Sequence, residues 1–201
     1  MSAGVHRGIR RAGVAPLAGG VEVVWSVADG RRGRRWRTVT RRHGTVASSL
    51  LLEVDPDGRP ARLELATAAG LLTLHPESAG LLHGNAVTGG GVRHLTLAWS
   101  DDHELEFEPF AVGGAVTADR LGRKVLAGQG RTVPVVAISL DLHVREMERR
   151  YERLAATTWR IEGHGDSRLL DVDEQGLPAW PVPAGERTGA AAWPLELDPQ
   201  S

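Results

Sequence analysis

VPVVAISLDLHVREMERRYERLAATTWRIEGHGDSRLLDVDEQGLPAWP, residues 133–181, is the stretch that decides the fold. Val136, Ile138, Leu140, Leu142 and Val144 alternate with Ala137, Ser139, Asp141 and His143, which is the period of a half-buried antiparallel strand. The period then changes. Val144, Met147, Tyr151 and Leu154 fall at i, i+3, i+7 and i+10, with Arg145, Glu148, Arg149, Glu152 and Arg153 filling the remaining surface, so a short amphipathic helix on a sheet is expected. After Thr157 and Thr158 the chain extends again, and Asp173 to Gly176 supplies the turn of a closing hairpin. No catalytic signature occurs in the stretch. A β-rich, non-catalytic binding module is the expectation it sets.

The same hairpin chemistry occurs upstream. LLEVDPDGRPAR (51–62) and LLDVDEQGLPAW (169–180) agree at seven of twelve positions. Shared turn demands or an ancient half-repeat could each produce this, since most of the identities surround the bend, and both readings predict two equivalent hairpins. Further upstream, VEVVWSV (21–27) alternates as a strand. RRWRTVTRR then places Trp36, Thr38 and Thr40 on one side and Arg35, Arg37, Val39 and Arg41 on the other. Residues 66–91 read as a short strand, a turn and a flexible loop, because Gly70, Pro76, Gly80, Gly84 and Gly89 to Gly91 interrupt them. VRHLTLAW is a strand with Arg93, Leu95, Leu97 and Trp99 on one face. In ELEFEPF, Leu105 and Phe107 oppose Glu104, Glu106 and Glu108, and a second short helix is expected to begin near Thr117, where a Thr or Asp cap is available.

Eight to eleven strands in series with two short helices make a mainly β (α+β) protein. A single large antiparallel sheet of that size has to curl, giving an open half-barrel with its helices in an apolar hollow. The expected boundaries are a mobile basic tail at 1–20, the half-barrel domain at 21–181 and a Pro, Gly and Ala-rich tail at 182–201.

Composition bounds the function. The 201 residues suit one domain of roughly 160 residues with loose ends, large enough to bury a real core. With no Cys, disulfides, thiolate metal sites and Cys nucleophiles are all excluded. No apolar run reaches the length of a membrane span or a signal peptide, so a soluble, cytoplasmic protein is expected. Eight His are scattered without metal-ligand spacing, no cofactor is expected, and HGN (83–85) and HGD (164–166) read as turns. Net charge is −1, yet residues 1–44 hold ten Arg against Glu22 and Asp29. The basic patch Arg31, Arg32, Arg34, Arg35, Arg37, Arg41 and Arg42, interleaved with Trp36, could track phosphates while the indole stacks on a base. A solvated face is the plainer reading of that hairpin, and nucleic acid is not the expected partner.

The run L-x-V-x-x-x-x-R-R-Y-x-R-L from Leu142, the following WRIE and LLDVDEQGLPAWP, and the upstream W-R-T-V-T, GNAV and VRHL resemble the bacterial glycolipid-binding family. The resemblance covers roughly residues 22–181 and is most specific from Leu142 to Pro181. It implies an open half-barrel similar to periplasmic lipoprotein-carrier proteins. Tyr151 is kept, but Arg149 stands where the family tends to carry Gln, and no catalytic residues carry over. Six Trp against two Phe and one Tyr fit a ligand with an apolar body and a polar head. The candidate ligand residues are Trp25, Trp36, Trp99, Tyr151 and Trp159, with Trp180 beside a further strand. Each alone is first of all a core residue, and a lipid-binding hollow needs two or three to share a cavity. The expected function is non-catalytic binding of a lipid-like or amphipathic small molecule on a concave sheet face. A structural or interaction module with a filled interior is the alternative.

Overall fold

The structure, a computed structural model, describes residues 10–77, 80–107, 111–163 and 165–179. The strands are β1 (Arg10–Leu17), β2 (Val21–Gly30), β3 (Gly33–Arg42), β4 (Thr45–Val54), β5 (Pro60–Thr67), β6 (Gly70–Glu77), β7 (Leu81–Thr88), β8 (Gly91–Ala98), β9 (Glu104–Phe107), β10 (Gly130–Ile138), β11 (Val144–Arg153), β12 (Thr158–Gly163) and β13 (Asp166–Asp171). One helix, α1 (Ala111–Gly122), separates β9 from β10. The protein is mainly β, as the alternating patterns require. The strands fall into two sheets, though, where one continuous sheet was expected. Two compact units result, one built on residues up to Asp101 with Leu140–Leu142, the other on Asp102–Ser139 and residues from His143 onward.

The first unit is an antiparallel meander in the order β1 to β8. Its buried rows are aliphatic: Leu50 pairs with Leu65, Leu52 with Leu63, Leu63 with Leu74 and Leu65 with Leu72, and all are at most 2% exposed. Each buried leucine contributes about 1.5–3 kcal/mol, which is why this register prevails over a one-residue slip that would turn the whole set outward. Three sequence expectations need correction here. Residues 10–20, assigned to the tail, form β1 and a short 3-10 turn at Ala18–Gly20; the remaining tail residues 1–9 and 182–201 lie outside the described residues. Residues 70–88, read as mostly loop, form β6 and β7. Accordingly HGN lies within a strand, and Gly84 is there because a Cβ would sit 2.1 Å from the Thr73 carbonyl oxygen of β6.

The second unit is a five-stranded sheet in the order β13-β12-β11-β10-β9, antiparallel except for the β9–β10 pair. Helix α1 touches both edge strands, β9 and β13, so the sheet bends round it. The core packs Ala115, Ala118 and Leu121 of α1 against Val133, Val135, Met147, Tyr151, Trp159, Ile161 and Leu170. The helix expected at 145–154 is instead β11. Its buried positions are Met147, Arg149 and Tyr151, a period of two that is disguised because the middle residue is a buried arginine. The strand expected at 136–144 is likewise split: Ser139 donates to the His143 carbonyl at 3.1 Å, and Leu142 adopts φ 64° in a tight turn between β10 and β11.

The two Asp turns are equivalent, as expected. Asp55 Oδ1 accepts from the amides of Asp57 and Arg59, and Asp173 Oδ1 from those of Gln175 and Leu177, all at 2.9 Å. Gly58 and Gly176 take left-handed φ of 83° and 71°, as this turn demands. Val54 then pairs with Pro60 and Val172 with Pro178. The match also reaches the neighbouring strands, where Trp36 pairs with Leu52 and Trp159 with Leu170. Turn chemistry alone does not require that extension, and it favours the half-repeat.

Candidate binding face

The five aromatic candidates do not line one cavity. Trp36, Tyr151 and Trp159 are 0–1% exposed. Trp36 belongs to the first unit's packed layer, with its Nε1 making no hydrogen bond among the described residues. Tyr151 and Trp159 share the core of the second unit. Trp25 is half-buried, its indole lying over Gly13 of β1, where an added Cβ would come 2.9 Å from the ring. Trp99 is half-buried just after β8, and Trp180 lies outside the described residues. Two depressions stand out among the described residues. One, of about 290 Å³, is lined by Ala137, Ile138, Ser139, His143, Val144 and Arg145, and the other, of about 450 Å³, by Glu53, Ala61, Arg62, Thr73, Leu74 and His75. None of the candidate aromatics lines either one.

The hollow under α1 holds charge as well as aliphatic side chains. Glu104 and Glu106 share a face with their β10 register partners Val135 and Ala137, toward the helix, although the sequence suggests an outward acidic face. Arg149 Nε donates to Glu106 at 2.9 Å, and its NH1 donates to Asp166 at 2.6 Å and to the Gly163 carbonyl at 2.9 Å. Arg168 closes on the other Glu106 oxygen, and burial lowers its guanidinium to about 10. Arg120 Nε donates to Glu104 at 2.5 Å, yet burial outweighs that guanidinium and raises the Glu104 carboxyl to about 7. Burial also raises the Tyr151 phenol. The two arginine-carboxylate sets tie β9 to α1, β11 and β13.

A pH dependence follows. Folded Glu104 keeps its proton to about pH 7, whereas an unfolded glutamate releases it near 4.5, so between these values the native state binds more protons. Stability from this group is full below pH 4.5 and is lost as pH rises to about 7, by on the order of 3 kcal/mol. Glu104→Gln is expected to flatten that slope in urea titrations between pH 4.5 and about 7. An unchanged slope in the variant would assign the dependence elsewhere.

The basic patch divides into paired and unpaired members. Arg34 is held by Asp29 at 2.7 Å with its guanidinium 5.9 Å from the Trp36 ring, Arg35 donates to Glu53 at 2.6 Å, and Arg41 lies 3.8 Å from Glu22. Arg31, Arg32, Arg37 and Arg42 are exposed and make no ion pair among the described residues. Trp36 points to the opposite face from Arg35, Arg37 and Arg41 and is fully buried, so it cannot stack on a base beside them.

The register brings together a surface that the sequence does not advertise. Val14, Val24, Val39, Ser49, Ala66, Leu71, Val87 and Val92 are successive cross-strand partners from β1 to β8 on the outward face. They form one row that crosses seven strand spacings of about 4.8 Å, roughly 34 Å in all. Val14 and Val92 are 58% and 57% exposed, Leu71 and Val87 42% and 43%. A bulge in the β3–β4 pairing sets Val46, 57% exposed, opposite Arg41 beside the row. The row runs next to the turns at one end of the meander. Segments 14–20, 43–49, 66–71 and 87–92 at that end contain no Asp, Glu, Lys or Arg, while Glu22, Arg41 and Arg42 lie level with them on β2 and β3, opposite Pro16, Val46 and Thr45. The opposite end carries Asp29, Arg31, Arg32, Asp55, Asp57, Arg59 and Asp101.

Among the described residues no group of three or more His, Asp or Glu is gathered to hold a metal ion, and no helix is long and apolar enough to cross a membrane. No family profile and no curated protein matches the chain. Among solved structures, the chain is similar to a DUF1089 family protein from Pseudomonas aeruginosa. Identity is 21%, the match covers 90% of this chain and 95% of the other, and the TM-score is 0.53. The likeness establishes a shared β-rich fold.

Proposed function

We propose that the protein is a non-catalytic binding module for an amphipathic, lipid-like molecule, and that it meets this ligand on the outside of its eight-stranded sheet. The second unit has the form of a half-barrel, but Ala115, Ala118 and Leu121 of α1 occupy its hollow. The outward row from Val14 to Val92, with Val14, Leu71, Val87 and Val92 exposed and Val24, Val39 and Ala66 half-buried, is the observation that carries the reading. It is one residue wide and roughly 34 Å long, with Arg37 two residues further along β3 on the same face. An alkyl chain matches that strip in shape, and an anionic head group finds the guanidinium beside it.

Calorimetric titration with lysophosphatidylglycerols of increasing chain length, below their micelle concentrations, tests this, with glycerol phosphate as the control without a tail. A chain lying half-buried along the row gains about half of the ~0.8 kcal/mol of a fully buried methylene, so each added pair of methylenes should tighten binding roughly three- to fourfold. Affinity independent of chain length, or no heat at all, would sink the reading.

A further inference from the structure

We infer that the end of the eight-stranded sheet whose turns carry no charge is a docking surface for a lipid bilayer containing anionic lipids; this rests on the amphiphile-binding reading above and names the partner of the same face. An antiparallel meander sends alternate turns to opposite ends, so the charge asymmetry between the two sets of turns is a property of the folded sheet. One end gathers 14–20, 43–49, 66–71 and 87–92, which hold no ionisable side chain except His43, with Glu22, Arg41 and Arg42 on the two strands between them. Val46 is 57% exposed there, and Ala68, Gly89 and Gly90 are exposed in the turns. The carboxylate at that end, Glu22, lies 3.8 Å from Arg41, which lessens the cost of bringing it into an interfacial region.

The border of this end is cationic. Arg42 closes β3 immediately before the His43-Gly44 turn, and Arg37 stands on the outward face two positions beyond Val39 of the row. Both are exposed and make no ion pair among the described residues, so their charge is available to lipid phosphates. Other occupants fit less well. A protein partner is usually held by aromatic or arginine anchors seated in pockets, whereas these turns offer alanine and glycine. A second copy docked about a two-fold axis would bring Arg37 and Arg42 toward their own counterparts. A bilayer asks only for apolar area with cations at its margin, and that is what this end supplies.

Flotation of the full chain tests the inference, using vesicles of phosphatidylcholine alone and of equal parts phosphatidylcholine and phosphatidylglycerol. Binding to the mixed vesicles, weakened by salt and largely absent on phosphatidylcholine alone, is the expected result. The triple variant Val46→Glu, Ala68→Glu, Val92→Glu, all exposed sites, should lose at least about tenfold in partitioning while keeping its melting midpoint. Arg37→Glu with Arg42→Glu should also lose at least tenfold. Arg31→Glu with Arg32→Glu, at the opposite end, should change little. Failure of the wild type to float overturns the inference, as does an opposite-end variant that loses as much as the rim variants. Concentration-dependent self-association abolished by the rim glutamates overturns it in favour of a second copy. Tail-dependent lysolipid binding without flotation leaves the amphiphile reading standing and removes the bilayer; flotation through the rim without lysolipid binding does the reverse.

Discussion

Arg149→Met is expected to destabilise the protein by about 3–5 kcal/mol in urea denaturation. Arg149 is 2% exposed and holds Glu106, Asp166 and the Gly163 carbonyl together. Methionine fills much of the same volume, so the loss reports the polar set and not a cavity. Glu106, 1% exposed, would keep only Arg168 as an ion-pair partner among the described residues. Its carboxylate would then sit in an apolar hollow with half its compensation gone. Adding Glu106→Gln to Arg149→Met should recover about 2 kcal/mol or more, because the stranded charge is what costs most. Two changes that simply add would mean that the pair is not coupled, and the account of β9 as tied to β11 through Arg149 would fail.

Trp36→Ala is expected to cost a similar 3–5 kcal/mol, and Trp36→Phe far less. The indole is fully buried, so alanine leaves a void the size of most of a bicyclic ring. Phenylalanine removes an N–H that makes no hydrogen bond among the described residues, and this offsets part of the lost contact. Neither variant, once folded, should alter amphiphile affinity, since the side chain does not reach the outer face. A Trp36→Phe protein of normal stability with lost lysolipid binding would instead place this residue at the ligand.

Much of the fold was legible because most outward positions are polar. β2, β3, β4, β5 and β8 follow their alternating patterns, and the Asp-x-x-Gly turns identify themselves through the side-chain acceptors the bend needs. The failures in the second sheet share one physical cause. Wherever a charged residue is buried, alternation is lost from view. Arg149 made β11 look helical, and Glu104 and Glu106 made β9 look half-exposed, because burial of these charges depends on partners from α1, β11 and β13. β6 and β7 were hidden for a different reason: Gly84 breaks the hydrophobic pattern only because the β6 backbone passes too close for a side chain.

The candidate face was less legible still. Positions 14, 24, 39, 49, 66, 71, 87 and 92 have no period in the chain, and only the pairing register lines them up. The uncharged turns can be read directly from the sequence, but that they share one end of a sheet requires strands β6 and β7, which the glycines concealed. The aromatic residues drew attention by their rarity, and the most conspicuous of them, Trp36, Tyr151 and Trp159, are core.

Amide chemical-shift mapping during titration with a single-tailed lysophosphatidylglycerol locates the ligand most directly. Shifts concentrated at Val14, Val39, Val46, Leu71, Val87 and Val92, with the amides of Met147, Tyr151 and Trp159 unmoved, are the predicted result. Shifts concentrated on α1 and on the strands around Tyr151 and Trp159 would put the ligand inside the half-barrel and contradict the assignment of the outer face.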